Sequence, residues 1–149
     1  MFDIRPLRHR IILTTVSSDS HTWNLVYLQL LLEEAGHHVH NLGACVPDDV
    51  LLSTVAAERP SAVIVSTVNG HGAMDGARVI RRLKEDPASA HIPVMIGGKL
   101  GVAEAGDAVA ADLLLAGFDA VFTEVSDGAE LTGYLAGLIL EWGSPALSR

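Results

Sequence analysis

Apolar positions along this chain fall into short β-rich runs that alternate with longer stretches of helical spacing. The run Arg10–Val16, with Ile11, Ile12 and Leu13 in succession, reads as a buried strand. From His21 to Ala35 leucines recur at helical intervals, and Gly36 stands where a helix stop belongs. His37–Leu42 predicts a second strand. Pro47 suits the first turn of a helix that runs on to Glu58. Ser61–Thr67, with Ala-Val-Ile-Val inside it, predicts a third buried strand, and Ala73–Lys84 a third helix. Ile92–Ile96 predicts a fourth strand ended by Gly97-Gly98. Asp107–Ala116 follows as a helix stopped by Gly117, Asp119–Phe122 as a short fifth strand, and Asp127–Glu141 as a last helix. Gly143–Arg149 reads as a loose tail.

Five consecutive strand–helix units predict an α/β domain, a parallel sheet with helices on both faces. Five units in this length suit the flavodoxin-like (Rossmann-like) strand order 2-1-3-4-5, which reverses direction between strands 1 and 3. Ligands bind at the carboxyl ends of those strands. The loops that matter are then Ser17–Thr22, Ser66–Gly72 and Gly97–Val102. One domain over residues 1–149 is expected, with its core at about 9–142.

Composition narrows the function classes. Net charge is −8, which argues against nucleic acid, because phosphates need clustered cations. Arg78, Arg81, Arg82 and Lys84 lie at helical spacing and read as one solvated helix face. No apolar stretch reaches the roughly 18–20 residues of a membrane span. The apolar run after the basic N-terminus, Ile11–Val16, is too short for a secretory signal, so a cytoplasmic protein is expected. Mean hydropathy of +0.34 is high for a soluble domain and points to apolar surface covered by a partner. The single Cys45 excludes an internal disulfide and a CxxC site, and is expected as a small buried hydrophobe.

The candidate chemistry sits at the switch point. Asp19 and His21 lie two apart just before a helix. An imidazole can bind a metal through one nitrogen while a carboxylate holds the other N–H. The competing reading makes Asp19 a helix cap and His21 a surface residue. Ser66-Thr67-Val68-Asn69-Gly70-His71-Gly72 offers short hydroxyls and glycines, and His71 faces either solvent or a ligand. Gly97-Gly98 removes side chains from the same edge. A phosphoacceptor receiver would need an aspartate where Ser66 or Thr67 stands and a lysine where Thr123-Glu124 stands. A flavin-phosphate loop would not tolerate Asp19, and a dinucleotide GxGxxG is missing after the first strand.

Together these residues resemble the cobalamin-binding domains, which share Asp-x-His-x-x-Gly after strand 1, Ser-x-Leu after strand 3 and Gly-Gly after strand 4. The corresponding residues are Asp19-Ser20-His21-Thr22-Trp23-Asn24, Ser66-Thr67-Val68 and Gly97-Gly98, at fitting intervals. The likeness is strongest to the small subunits of glutamate mutase. It runs from about Ile11 to Tyr134 and includes Ser18-Asp19-x-His21, Asn41-Leu42-Gly43, Val65-Ser66, Gly70-x-Gly72 and Gly117-Phe118-Asp119. Two positions depart from the pattern, Asn24 for glycine and Val68 for leucine. Asparagine tolerates the left-handed backbone that a glycine position can require.

The resemblance implies a role for each residue. His21 would be the axial cobalt ligand and Asp19 the partner of its other nitrogen, within a loop of Ser18, Ser20 and Thr22. Ser66, Thr67, Val68, Gly97 and Gly98 would line a slot for the cofactor's nucleotide tail, with Lys99, Leu100, Gly101 and Val102 nearby. The cofactor would be adenosylcobalamin. The chain would be one subunit of an isomerase that converts (S)-glutamate to 3-methylaspartate. Five strand–helix units leave nothing to enclose the upper face of a corrin, so a second protein is expected to cover it. The resemblance implies that this partner is a large TIM-barrel catalytic subunit. A corrinoid methyl carrier, a small subunit of an acyl-CoA mutase, a cobalamin sensor and a cofactor-free interaction domain stay open as alternatives.

Overall fold

The computed structural model describes residues 10–68, 72–98, 106–122 and 133. The N-terminal residues 1–9, His71, the segment Lys99–Val102, the expected last helix apart from residue 133, and the tail lie outside the described residues. Nine elements follow in order: β1 (Arg10–Thr14), α1 (Trp23–Glu34), β2 (His38–Asn41), α2 (Asp48–Glu58), β3 (Ala62–Thr67), α3 (Gly72–Glu85), β4 (Val94–Gly98), α4 (Gly106–Ala116) and β5 (Ala120–Phe122).

All neighbouring strands pair in parallel, in the order β2-β1-β3-β4-β5. The expected order therefore holds, and the reversal lies between β1 and β3. Successive side chains on a strand point to opposite faces, and the core divides accordingly. Ile11 and Leu13 of β1, Ala62 and Ile64 of β3 and Met95 of β4 pack with Leu25, Leu28 and Leu32 of α1. Ile12, Val63, Val65, Val94 and Ile96 face the other way, into a cluster with Leu51 and Val55 of α2, Val79, Ile80 and Leu83 of α3 and Leu113 of α4. β1 and β3 are buried on both faces, which is why they read as continuous apolar runs without alternation.

Several boundaries differ from expectation for definite reasons. β1 ends at Thr14, because the chain turns through an Asp19 N–H···O=C Val16 bond of 3.1 Å. Pro47, extended at φ −63° and ψ 146°, precedes α2 as its cap residue and does not enter the first turn. Gly97-Gly98 does not end β4. Both glycines belong to the strand, paired with Ser66 and Thr67 of β3. Gly98 has φ +113°, and a Cβ there would lie 1.9 Å from the Thr67 carbonyl oxygen, so only glycine lets β4 approach β3 this closely.

Cys45 is exposed, contrary to the burial expected of it. It adopts φ +52° in the turn after β2, and there its N–H donates to the Asp19 carbonyl at 2.8 Å. The basic face of α3 is not simply solvated either. Arg78 pairs with Asp48 and Asp75, Arg82 with Asp49, and Lys84 with Asp119. The high mean hydropathy has a visible outlet: Trp23, Val26, Tyr27 and Leu30 form an exposed apolar stripe on α1. Among the described residues no helix is long and apolar enough to cross a membrane.

Candidate cofactor site

The site begins with Asp19, which has no solvent exposure. A buried carboxylate is tolerable only when its lone pairs are filled by donors, and here they are. Oδ1 accepts from the His21 backbone N–H at 2.9 Å and lies 2.7 Å from His21 Nδ1. Oδ2 accepts from Thr67 Oγ1 at 2.7 Å and from the Val68 N–H at 2.8 Å. Burial alone would raise the carboxyl pKa. The donors from Thr67, the two backbone N–H groups and the imidazole outweigh it and hold the group well below the usual carboxylate range.

Asp19 is therefore no helix cap. Thr22 occupies the cap position of α1 and makes no side-chain capping bond. Asp19 instead ties the loop after β1 to the end of β3 and orients one imidazole. With Nδ1 held by the carboxylate, Nε2 is the nitrogen of His21 left for another partner, on a side chain 47% exposed. Among the described residues no group of three or more His, Cys, Asp or Glu is gathered to hold a metal ion. A single supported imidazole suits a metal whose other positions are filled by a second molecule, such as a macrocycle.

The loop is braced from below. Arg78 donates through Nε and Nη2 to Asp48 at 2.8 and 3.1 Å, through Nη1 to Asp75 at 2.5 Å and through Nη2 to Ser17 Oγ at 3.1 Å. Ser18 Oγ donates to Asp75. The hydrogen bonds to Asp48 and Asp75 raise the Arg78 pKa further, so this guanidinium stays charged. The two residues before Asp19 are thus pinned to α3, whose Arg78 is in turn tied to Asp48 of α2, while Asp19 itself is pinned to the end of β3. Sequence reading missed this brace, because its partners stand 30 and 61 residues apart.

A second group of residues lies between α1 and the carboxyl end of the sheet. Ser66 continues the phase of Ala62 and Ile64, so its side chain faces α1. There Asn24 Nδ2 donates to Ser66 Oγ at 2.8 Å, both side chains being buried. Asn24 is the second residue of α1 and has no left-handed backbone, so the tolerance that asparagine has for one is not used. Gly97, paired with Ser66 on one side and Phe122 on the other, leaves a gap in the row of side chains on this face. A Cβ at Gly97 would meet Phe122 at an ordinary 3.4 Å, so crowding among the described neighbours does not demand glycine there. Two buried oxygens at this end, Asn24 Oδ1 and Thr15 Oγ1, have no hydrogen-bond partner among the described residues.

The sequence-predicted residues thus separate. Asp19, His21, Thr67 and the Val68 backbone form one unit, and Ser18 belongs to its brace. Ser66 and Gly97 belong to the α1 face with Asn24. Ser20 and Thr22 are exposed loop residues. Lys99, Leu100, Gly101 and Val102 lie outside the described residues. Partly satisfied polar groups and a side-chain gap beside an anchored imidazole fit a cofactor with a ring and a polar appendage.

Comparison with known proteins agrees. Residues 9–131 match the B12 binding domain model. The glutamate mutase sigma subunit of Halobacterium salinarum is 32% identical over 76% of this chain and 75% of its own length. Glutamate mutase sigma subunit 1 of Haloarcula marismortui is 31% identical over 80% and 79%. A cobalamin-binding protein from Desulfitobacterium hafniense superposes with a TM-score of 0.69 at 26% identity, over 85% of this chain and 58% of that one. On the match over residues 9–131 and on these relatives, this chain belongs to the B12-binding domain family.

Proposed function

We propose that this chain is the cobalamin-binding small subunit of an adenosylcobalamin-dependent carbon-skeleton mutase, glutamate mutase, acting on (S)-glutamate and 3-methylaspartate. The observation that carries the reading is the anchored imidazole: Asp19 Oδ1 lies 2.7 Å from His21 Nδ1 and leaves Nε2 as the coordinating nitrogen. His21 would ligate the cobalt. Asp19 would fix the ring's orientation and tautomer. Ser66 and Gly97 on the α1 face would take the nucleotide tail, with Gly98 setting the approach of β4 and Lys99–Val102 nearby. Adenosylcobalamin, when bound, supplies radical initiation through homolysis of its cobalt–carbon bond.

This chain's own contribution is to bind and orient. It offers no array of polar groups suited to an amino-acid substrate among the described residues, and its family's glutamate mutase relatives are named as sigma subunits. A large TIM-barrel catalytic subunit would supply the substrate site and exclude water from the reacting face. We place this assembly in the cytoplasm and treat residues 1–149 as one domain.

The test is reconstitution. The chain, adenosylcobalamin and a glutamate-mutase-type large subunit are combined, and methylaspartate formation is followed. Activity is expected only with all three present. Methyl transfer with a corrinoid methyltransferase, and none of the mutase reaction, would move the chain to the carrier class.

A further inference from the structure

The Asn24 carboxamide is half used. Its Nδ2 is spent on Ser66, yet its Oδ1 is buried without a partner, on a side chain only 6% exposed. An unsatisfied buried oxygen keeps its full desolvation cost, whereas a leucine of similar size would fill the same space without it. The location is specific. Asn24 meets Ser66 on the α1 face, where Gly97 leaves the adjoining position without a side chain. Thr15, one residue past β1 and in phase with Ile11 and Leu13, leaves a second buried oxygen unpartnered at the same end of the sheet. Two unpartnered oxygens and a position without a side chain are what a donor from a bound cofactor tail would complete.

We propose that Asn24 is a specificity-determining residue of the cofactor slot. Its Oδ1 accepts a hydrogen bond from an O–H or N–H of the corrinoid's nucleotide tail, so the chain favours complete corrinoids over those that lack the nucleotide. The inference rests on the cobalamin reading above. It concerns the chain's choice among corrinoids and leaves cobalt ligation by His21 untouched.

The test is equilibrium binding of the full chain to cobalamin and to cobinamide, which has the corrin ring without the nucleotide, followed by absorbance or calorimetry. In Asn24→Leu the cobalamin Kd is expected to rise about tenfold, while the cobinamide Kd stays within about twofold. Unchanged cobalamin affinity, or an equal loss for both corrinoids, would overturn the assignment. Asn24→Gly separates acceptance from mere filling. The proposal expects weaker cobalamin binding, and tighter binding would show that the side chain only obstructs the slot. Should either variant misfold, the wild-type protein still decides. The Asn24 side-chain amide resonances should shift with cobalamin and not with cobinamide, and no selective shift contradicts the proposal. A wild-type chain that binds neither corrinoid would overturn the cofactor reading itself, a failure distinct from loss of selectivity alone.

Discussion

The two halves of the site differ in how finished they are. Around Asp19 the described contacts are closed: Asp19 takes four donors, Arg78 of α3 donates to Ser17, and Ser18 donates to Asp75. At the junction of α1 and β3, two buried oxygens stand without partners and Gly97 leaves a gap. The first arrangement is preorganised and holds one nitrogen ready at no further ordering cost. The second, on the proposed reading, is completed by the cofactor. On that reading the contrast separates two tasks, fixing the cobalt and choosing what hangs from it.

The largest expected effect falls on the finished half. His21→Ala should abolish the histidine-ligated absorbance of bound corrinoid. It should weaken binding by more than the roughly 100-fold upper range seen for a supporting group. Retention of that spectrum would make another residue the ligand, with His71 next in line. Asp19→Asn should cost about 10–100-fold in affinity, because the ring loses its fixed tautomer and support.

Asp19 also leaves a signature without any ligand. Its folded pKa lies below its unfolded value. The unfolded state therefore binds more protons in acid, and stability rises with pH there. The contribution is full above the ordinary carboxylate pKa of about 4 and is lost as pH falls toward the folded value. Urea unfolding from pH 6 downward should show a steep acid loss in the wild type and a shallower one in Asp19→Asn. Equal slopes would mean that the four donors do not stabilise the anion.

Thr67→Val keeps the shape and removes one donor to the buried carboxylate. It should destabilise the fold by about 1.5–3 kcal/mol and weaken corrinoid binding by a smaller factor than Asp19→Asn. Calorimetric unfolding measures the first and a binding titration the second. Arg78→Met should have a small effect, on the order of a few-fold in affinity, since the guanidinium is half exposed and screened by solvent. Arg82→Met, whose partner Asp49 is largely exposed, should change nothing in binding. If the two arginine variants behave alike, the brace does not position the ligand loop.

Much of this was legible in the chain itself, and the exceptions have physical causes. The doubly buried runs Ile11–Leu13 and Ala62–Val65 mark central strands, because apolar continuity is what two covered faces require. Asp19 and His21 could be paired from spacing, since two residues of one loop reach one another locally. Gly97-Gly98 looked like a strand end because glycine usually weakens strands, yet pairing with Ser66 and Thr67 carries β4 through them. Cys45 followed its turn geometry and not its usual burial. Asn24 sits in a helix and donates to Ser66, so the left-handed backbone that a glycine position can require plays no part there. The Arg78 brace depends on partners brought together only by folding.

The most direct test of the central claim is electron paramagnetic resonance of a cobalt(II) corrinoid bound to the full chain, prepared with ordinary and with ¹⁵N-labelled histidine. A single axial ¹⁴N splits each cobalt line into a triplet, and a ¹⁵N splits it into a doublet. With His21 as ligand, labelling histidine alone should convert triplets to doublets, and His21→Ala should remove the splitting. Triplets that persist in the labelled protein would mean that cobalt keeps a nitrogen from the cofactor's own base, which would contradict ligation by His21.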